Sequence, residues 1–266
     1  MSPLHILMFL LAWLTPARPA PNPTAPPLLP LTNLTDSTLL HSLVLPELAQ
    51  ADTPMQYSGF TLLYSEEHEQ ARWVAYVLDM SKPYKVAERG NRFYVDTNIK
   101  TGSANPADYK NSGFDRGHLA PAADMSWSET SMRESFFFSN MSPQRPDFNR
   151  GIWNKLEQQV RNWAHTHQRL YVVTGPVLHP GLPSIGPNKV SVPTYYYKAL
   201  LVYTDSLVQG IGFILPNQKG EHPIIKYAVS IDSVEQISGI NFYPQLTTLG
   251  ADSVEAQLCL PCWFPH

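Results

Sequence analysis

Proline is concentrated near the front of this chain, where seven of the 25 prolines lie between Pro16 and Pro30. Proline lacks a backbone N–H donor and has a fixed φ, so this density excludes both a continuous helix and a sheet strand there. The composition is typical of an extended, polyproline-like spacer. We therefore predict a proline-rich linker over residues 18–54, a folded domain over residues 55–248 and a C-terminal tail over residues 249–266.

An apolar run at residues 6–14 precedes the spacer and leads into Thr15-Pro16-Ala17, a small-residue exit. The run has the length of a signal-peptide core and is too short to span a bilayer. These features predict a signal peptide at residues 1–17, no membrane span and a secreted or periplasmic location. The alternative is that the run forms a buried N-terminal helix.

Composition excludes several classes of protein. Hydrophobic residues make up 43% and charged residues 15% of the chain, which excludes a disordered polar sequence. A net charge of −3 excludes a protein that binds nucleic acid through total charge alone. Residues 82–161 nevertheless carry 12 Lys and Arg against 9 Asp and Glu, so this segment favours a polyanionic partner.

Runs of aromatic and β-branched residues predict the strands. We expect a hairpin from residues 59–64 and 72–78, further strands at 136–138, 170–173, 195–203 and 208–214, and helices at 126–134 and 149–165. Strands that outnumber helices in this order predict an α+β fold with a mostly antiparallel central sheet flanked by helices.

The tetrad Asp115-Arg116-Gly117-His118 is the most informative short sequence. Histidine suits a general base near neutral pH. On a strand, Arg116 would share a face with His118, which places a base beside a cation that binds phosphate. Gly117 would let a ligand approach the backbone closely. The alternative is an exposed strand end with a solvated salt link.

The helix predicted after Phe148 carries the second group of polar candidates. At about 100° per residue, Asn149 falls within its apolar stripe, while Glu157 and Arg161 lie along the flank. Asn149 would either cap the helix or bind a hard cation such as Mg²⁺ through its carbonyl oxygen. Glu157 would then hold a metal-bound water, or form an ordinary surface pair with Arg161.

Several separated blocks resemble the DNA/RNA non-specific endonucleases, the ββα-metal nucleases that include secreted bacterial enzymes and mitochondrial endonuclease G. The blocks are GFDRGHLAPAADM (113–125), FFFSNMSPQRPDFNRGIWNKLE (136–157), VVTGPVL (172–178) and KVSVPTYYYKAL (189–200). They keep the order of the family and extend the likeness over residues 58–245. The resemblance implies a ββα-metal nuclease fold.

The resemblance also implies a role for each matched residue. His118 matches the general base, Arg116 a phosphate-binding arginine and Asn149 the protein ligand of Mg²⁺, for which Mn²⁺ is a substitute. Asn140 matches an asparagine that orients the histidine or the substrate, Glu157 an acid that holds metal-bound water, and Arg161 an arginine at the scissile phosphate. A further substrate-binding arginine corresponds to Arg89 or Arg92.

These expectations describe a metal-dependent endonuclease that hydrolyses DNA and RNA with little sequence preference and leaves 5′-phosphate ends. Two other functions stay open, namely a catalytically silent nucleic-acid-binding protein on the same fold and a phosphodiesterase of small nucleotides. Besides DNA and RNA, the partners considered are a second copy of the chain in a homodimer and an inhibitor protein.

Overall fold

A computed structural model describes residues 42–248 and 253–265. The predicted signal peptide, residues 1–17, and residues 18–41 of the predicted linker lie outside the described residues. The strands are β1 Met55–Gln56, β2 Thr61–Ser65, β3 Gln70–Asp79, β4 Asp115–His118, β5 Met141–Gln144, β6 Arg169–Pro176, β7 Ser184–Ile185, β8 Val190–Ser191, β9 Tyr195–Tyr203, β10 Val208–Pro216 and β11 Ala228–Val229.

The helices are mostly short. The α-helices are α1 Pro106–Tyr109, α2 Glu129–Ser135, α3 Asn154–His167, α4 Ile231–Ser238, α5 Gln245–Thr248, α6 Ser253–Ala256 and α7 Leu260–Trp263. Ala122–Met125, Phe138–Asn140 and Ile224–Tyr227 form 3₁₀ turns, and Phe148–Trp153 forms a π-helical turn. No helix within the described ranges is long and apolar enough to cross a membrane.

A seven-stranded antiparallel sheet in the order β1-β2-β3-β6-β9-β10-β11 forms the centre of the fold. The predicted hairpin is confirmed, since β2 pairs antiparallel with β3. The strands predicted at 170–173, 195–203 and 208–214 are confirmed as β6, β9 and β10. The α+β class and the mostly antiparallel sheet predicted from the sequence are therefore confirmed.

Both faces of the sheet are buried. On β3, Val74 and Tyr76 pack into one apolar cluster, whereas Trp73 and Ala75 pack into a second cluster on the opposite side. The first side, which we call the front face, is covered by α3. The apolar residues of the stripe predicted after Phe148 are confirmed as buried in the first cluster, on α3 and on the turn before it: Ile152, Trp153, Leu156, Val160, Trp163 and Ala164.

Two predicted elements differ from the structure. Phe136–Phe138 is not a strand, because Phe136 is the C-cap of α2 and Phe138 begins a 3₁₀ turn. Phe136 and Phe138 are buried because they pack between turns. A short aromatic run in the sequence does not distinguish this kind of packing from a buried strand. The helix predicted from residue 149 is also interrupted, since Gly151 has φ −102° and ψ −110° and α3 begins at Asn154.

Buried contacts reach past both boundaries predicted for the domain. Leu43 and Val44 pack on the second face of the sheet. Near the C-terminus, a disulfide joins Cys259 to Cys262, and Trp263 is 1% exposed. The ring of Trp163 packs edge-on against Trp263 and its Nε1 donates a 2.7 Å hydrogen bond to the Trp263 carbonyl.

The substitution Trp263→Ala should therefore destabilise the whole domain. Removing a buried tryptophan side chain costs about 3–5 kcal/mol of unfolding free energy. Urea unfolding followed by tryptophan fluorescence and circular dichroism measures this loss. Leu258→Ala, at a residue 39% exposed, is the control and should change stability by about 0.5 kcal/mol or less. Equal, small effects of both substitutions would show that the C-terminal segment does not belong to the core.

Candidate active site

A cavity of about 810 Å³ opens beside β4, the π-helical turn and the first turns of α3. Most of the polar residues singled out in the sequence line it, together with side chains that the sequence did not single out. Its lining comprises Arg89, Phe93, Pro106, Tyr109, Lys110, Phe114, Asp115, Arg116, His118, Pro121, Ala122, Ala123, Asn149, Arg150, Asn154, Glu157 and Arg161.

Strand β4 presents the tetrad to this cavity. It pairs antiparallel with β5, and Arg116 and His118 both line the cavity as the strand alternation predicts. The role expected of Gly117 is wrong. Gly117 is buried on the opposite side, where an added Cβ would lie 2.2 Å from the side chain of Gln144. Glycine is needed here for packing of β4 on β5.

His118 is held by aromatic side chains. Its ring packs edge-on against Phe136, with 4.8 Å between ring centroids, and lies 5.8 Å from Phe93. Burial, followed by the nearby cations Arg89 and Arg116, lowers the pKa of His118 to about 3. Nε2 has no hydrogen-bond partner among residues 42–248 and 253–265. The ring is therefore neutral at neutral pH.

Asn140 is not among the described residues that line the cavity. It is fully buried, its Oδ1 accepts a 2.9 Å bond from Ala120 N–H, and its Nδ2 donates to the carbonyls of Ala120 and Ser135. The Asn140 carbonyl also accepts a bond from Leu119 N–H. The residue thus contacts the two backbone units that follow His118.

Asn149 lies in the π-helical turn, before the break at Gly151. Its Nδ2 donates a 2.9 Å hydrogen bond to Asp115 Oδ2, and the same carboxylate receives two bonds from Arg150, of 2.9 and 2.6 Å. This side chain does not cap the helix, since no side-chain cap bond occurs at the start of the π-turn or of α3. Because the amide nitrogen is directed to Asp115, the amide oxygen is the atom available to a cation.

Cations outnumber carboxylates in the lining of the cavity. Arg116 lies over the Phe93 ring, 4.1 Å from its centroid, and Arg89 lies 5.6 Å from that of Phe136. Arg92 instead lies over Tyr94 and lines a separate depression. The sequence alone left Arg89 and Arg92 open, and the fold brings Arg89 to His118.

Glu157 and Arg161 do not form the surface pair considered above. Arg161 Nη1 donates a 2.8 Å bond to Asp124 Oδ1, and Asp124 is 1% exposed. The Tyr76 hydroxyl donates to the other oxygen of Asp124 at 3.0 Å. Arg161 is therefore fixed from beneath by a buried carboxylate while its side chain, 25% exposed, borders the cavity.

A buried lysine lies in the same network. Lys198 on β9 is fully buried, its Nζ donates to Thr174 Oγ1 at 3.1 Å, and it lies 4.5 Å from the centroid of the Trp153 ring. Burial lowers the pKa of Lys198, and the charge of Glu157 opposes that shift. Burial raises the pKa of Glu157, and Lys198 is the strongest group that lowers it again. Each charge thus favours the ionised form of the other.

Several of these residues were missed in the sequence. Lys198 and Asp124 lie within the segments that resemble the family, but the sequence predicts no role for either. Neighbouring residues in the sequence do not show that a charged side chain is buried beside a functional site. An isolated lysine in the run Tyr195–Tyr203 was the one available signal, since unpaired buried charges are costly. Asp115 directly precedes Arg116 and Arg150 directly follows Asn149, so their place in the sequence was a signal for both.

Within the described residues, no group of three or more His, Cys, Asp or Glu side chains is arranged to hold a metal ion. The oxygen donors of the cavity lining include the amide of Asn149 and the carboxylate of Glu157. Oxygen donors with few protein ligands suit a hard divalent cation that keeps most of its water. Together with the neutral histidine and the arginines, these donors are typical of a nuclease centre.

Comparison with known proteins gives the same class. The family model described as DNA/RNA non-specific endonuclease matches residues 44–249. Bovine mitochondrial endonuclease G is 34% identical over 220 residues, which cover 76% of this chain and 72% of that protein. Mitochondrial nuclease EXOG from Danio rerio is 34% identical over 208 residues, covering 71% and 60% of the two chains.

A solved structure shares the fold. The crystal structure of the EndoG/EndoGI complex matches with a TM-score of 0.71 and 30% identity, covering 77% of this chain and 90% of that chain. This confirms the ββα-metal nuclease fold implied by the sequence. The chain belongs to the DNA/RNA non-specific endonuclease family, a family of metal-dependent nucleases, and is an enzyme that hydrolyses nucleic acid.

The secreted or periplasmic location predicted from the N-terminal segment is wrong. The endonuclease G and EXOG relatives are mitochondrial proteins, which conflicts with that location. The prediction depended on the length of one apolar run, a local property that does not identify the compartment.

The substitution Lys198→Met should move the acid limb of the pH–activity profile to higher pH. Loss of the buried cation raises the pKa of Glu157 further, so a larger fraction of this carboxyl is protonated at neutral pH. A protonated carboxyl no longer holds a cation or cation-bound water. The measurement is kcat/KM on DNA between pH 5 and 9, with thermal melting as a check of folding.

Lys155→Met is the matched control, because Lys155 is an exposed lysine on α3, the helix that carries Glu157. It should leave the position of the acid limb unchanged. A Lys198→Met protein that melts normally and keeps the parent profile would exclude an electrostatic effect of Lys198 on Glu157.

Proposed function

We propose that this protein hydrolyses phosphodiester bonds of both DNA and RNA with little sequence preference and leaves 5′-phosphate ends. The observation that carries the proposal is a cavity in which His118, with Nε2 unbonded among the described residues, lies together with Arg89, Arg116 and Arg161. A neutral imidazole accepts a proton, while guanidinium groups bind a phosphate whose negative charge grows during attack.

In this mechanism His118 takes a proton from the water that attacks phosphorus. Since the ring is fixed by Phe136 and by the paired strand β4, little reorientation accompanies the proton transfer. Arg116 and Arg161 lie where the phosphoryl oxygens would be held, and Asp124 keeps Arg161 in place. Arg89 is the upstream arginine that we assign to the substrate in preference to Arg92.

Asn149 and Glu157 are the residues that would hold the metal. The bond from Asn149 Nδ2 to Asp115 supports this assignment, because it fixes the amide and leaves its oxygen for a hard cation. Mg²⁺ fits such oxygen donors, with Mn²⁺ as a substitute. When bound, the ion stabilises negative charge on the phosphoryl group and on the departing 3′-oxygen. Glu157 would hold a water of the ion, and Asn140 would steady the backbone behind His118.

The charge of the cavity favours a polymeric, non-specific substrate. The cavity lining includes five Lys and Arg side chains and two Asp and Glu side chains, so it attracts a phosphate backbone in any sequence.

An inhibitor protein is a plausible partner, since the structural match is a complex described as showing the inhibition of EndoG. The homodimer considered from the sequence stays a prediction.

His118→Ala should lower the turnover of plasmid DNA and of total RNA by about 10²–10⁴-fold, the usual contribution of a general base. Nucleic-acid binding should change little, because the arginines that bind phosphate remain. Initial rates with Mg²⁺ or with EDTA, and binding measured by fluorescence anisotropy, test this directly.

His222→Ala changes an exposed histidine outside the cavity and should retain full activity. An equal loss of binding and turnover in His118→Ala would argue against its role as a base. Parent protein that binds both polymers and cleaves neither would support the catalytically silent alternative.

Asn149→Ala should raise the Mg²⁺ concentration needed for half-maximal rate by at least about tenfold, because loss of an outer partner of a ligand already costs 10–100-fold. Asp115→Ala should raise it as well, since Asp115 fixes the Asn149 amide. Asn154→Ala is the control, because this amide lines the same cavity without a bond to Asp115 among the hydrogen bonds of the described residues. A Mg²⁺ dependence unchanged in Asn149→Ala would remove Asn149 as a ligand.

A further inference from the structure

A second cavity of about 350 Å³ adjoins the candidate active site. The two cavities share Arg89, Ala123 and Arg161 in their linings. A ligand held by the two arginines therefore borders the second cavity as well as His118. The volume lies within the ~300–1,000 Å³ usual for cavities that bind small organic groups.

The walls of this second cavity are mainly apolar. They include Leu78 from the end of β3, Met80, Tyr84 and Ala87 from the segment that follows it, and Met132 from α2. No aspartate or glutamate belongs to the described residues of this lining, whereas cations border it. Thioether, aliphatic and phenol groups together form a surface suited to a flat aromatic ring.

The segment that forms this wall is tied down. The backbone N–H groups of Val86 and Ala87 donate to the Ser126 carbonyl at 2.9 and 3.0 Å, and Lys85 N–H donates to Ser126 Oγ at 3.1 Å. Three bonds to one residue hold the segment against the turn that follows Ala122–Met125. The cavity is therefore part of the folded framework around the arginines.

We propose that this second cavity is a nucleobase subsite, which receives the base of a nucleotide adjacent to the scissile phosphate. The inference depends on the proposed function and names a contact that function does not require. When the scissile phosphate lies between the arginines and His118, the neighbouring nucleotide lies next to the second cavity. Its base then unstacks from the other bases of the strand and contacts the apolar walls. Because apolar walls contact the face of a base and not its hydrogen-bonding edge, the subsite accepts any base.

The substrate side of the test uses an end-labelled oligothymidylate with one abasic residue at a defined position, cleaved by the full chain. We expect kcat/KM for a bond next to the abasic residue, on its 5′ or its 3′ side, to fall about tenfold, the equivalent of one base contact. Bonds several nucleotides away should be cut at the parent rate. Unchanged cleavage of both adjacent bonds would overturn the subsite.

The protein side uses Met80→Trp, which fills the cavity at a residue outside the catalytic residues. KM for the normal oligonucleotide should rise about tenfold, and the abasic residue should then have no further effect, since both changes remove one contact. Val86→Trp is the control, because Val86 is 56% exposed on the same segment and outside the described lining. Independent, additive effects of Met80→Trp and the abasic residue would also overturn the proposal.

A diester flanked by two abasic residues within an oligothymidylate has no aromatic ring on either side and separates this inference from the proposed function. Met80→Trp should hydrolyse it at the parent rate if the catalytic residues are intact and only the base contact is lost. A parent protein inactive on this diester and on oligonucleotides would refute the proposed function itself. A parent protein active on both, with no effect of the abasic residue, would refute the subsite alone.

Discussion

The central strands of the sheet are buried on both faces, so a charged side chain on them is stable only if it has a hydrogen-bonding or oppositely charged partner. Along β9 the residues that face the front are Tyr196, Lys198, Leu200 and Val202, and only Lys198 among them is charged. An unpaired ammonium group in such a place would be costly. The partners come from elsewhere in the chain, with Thr174 from β6, and with Glu157 and Asp124 as the favourable charges. The charged network around Glu157 is thus part of the core.

This burial links stability to catalysis. Asp124 is fully enclosed, yet it accepts hydrogen bonds from Tyr76, a core residue of β3, and from Arg161, which borders the cavity. Buried pairs of this kind hold a side chain in one geometry, and removing one partner leaves the other charge uncompensated. An arginine that must meet a phosphate at a fixed distance gains from such support. The flexible alternative, a solvent-exposed arginine, would lose side-chain entropy on each binding event.

The break at Gly151 has a similar effect at the other end of the site. A continuous helix from Asn149 would have placed this asparagine within the stripe that packs on the sheet, beside Trp153 and Leu156. The π-helical turn instead places its amide beside Asp115, in the lining of the cavity that Glu157 also borders. π-Helical turns frequently occur at functional sites. Here the redirected side chain is the proposed metal ligand.

Local pattern determined a large part of this protein. The hairpin β2–β3, the long strands β9 and β10, and the buried stripe of α3 follow from residue spacing, because burial of one face or both selects a period of two or of about 3.6. The period of two also places Arg116 and His118 on the same side of β4, so the sequence alone predicted a base beside a cation. Tertiary structure decided the rest: Arg89 lines the cavity with His118 while Arg92 lies elsewhere, Gly117 packs against Gln144, and the charge of Lys198 favours the ionised form of Glu157. These outcomes depend on contacts between residues far apart in the chain, and no periodicity in the sequence records which distant residues will meet.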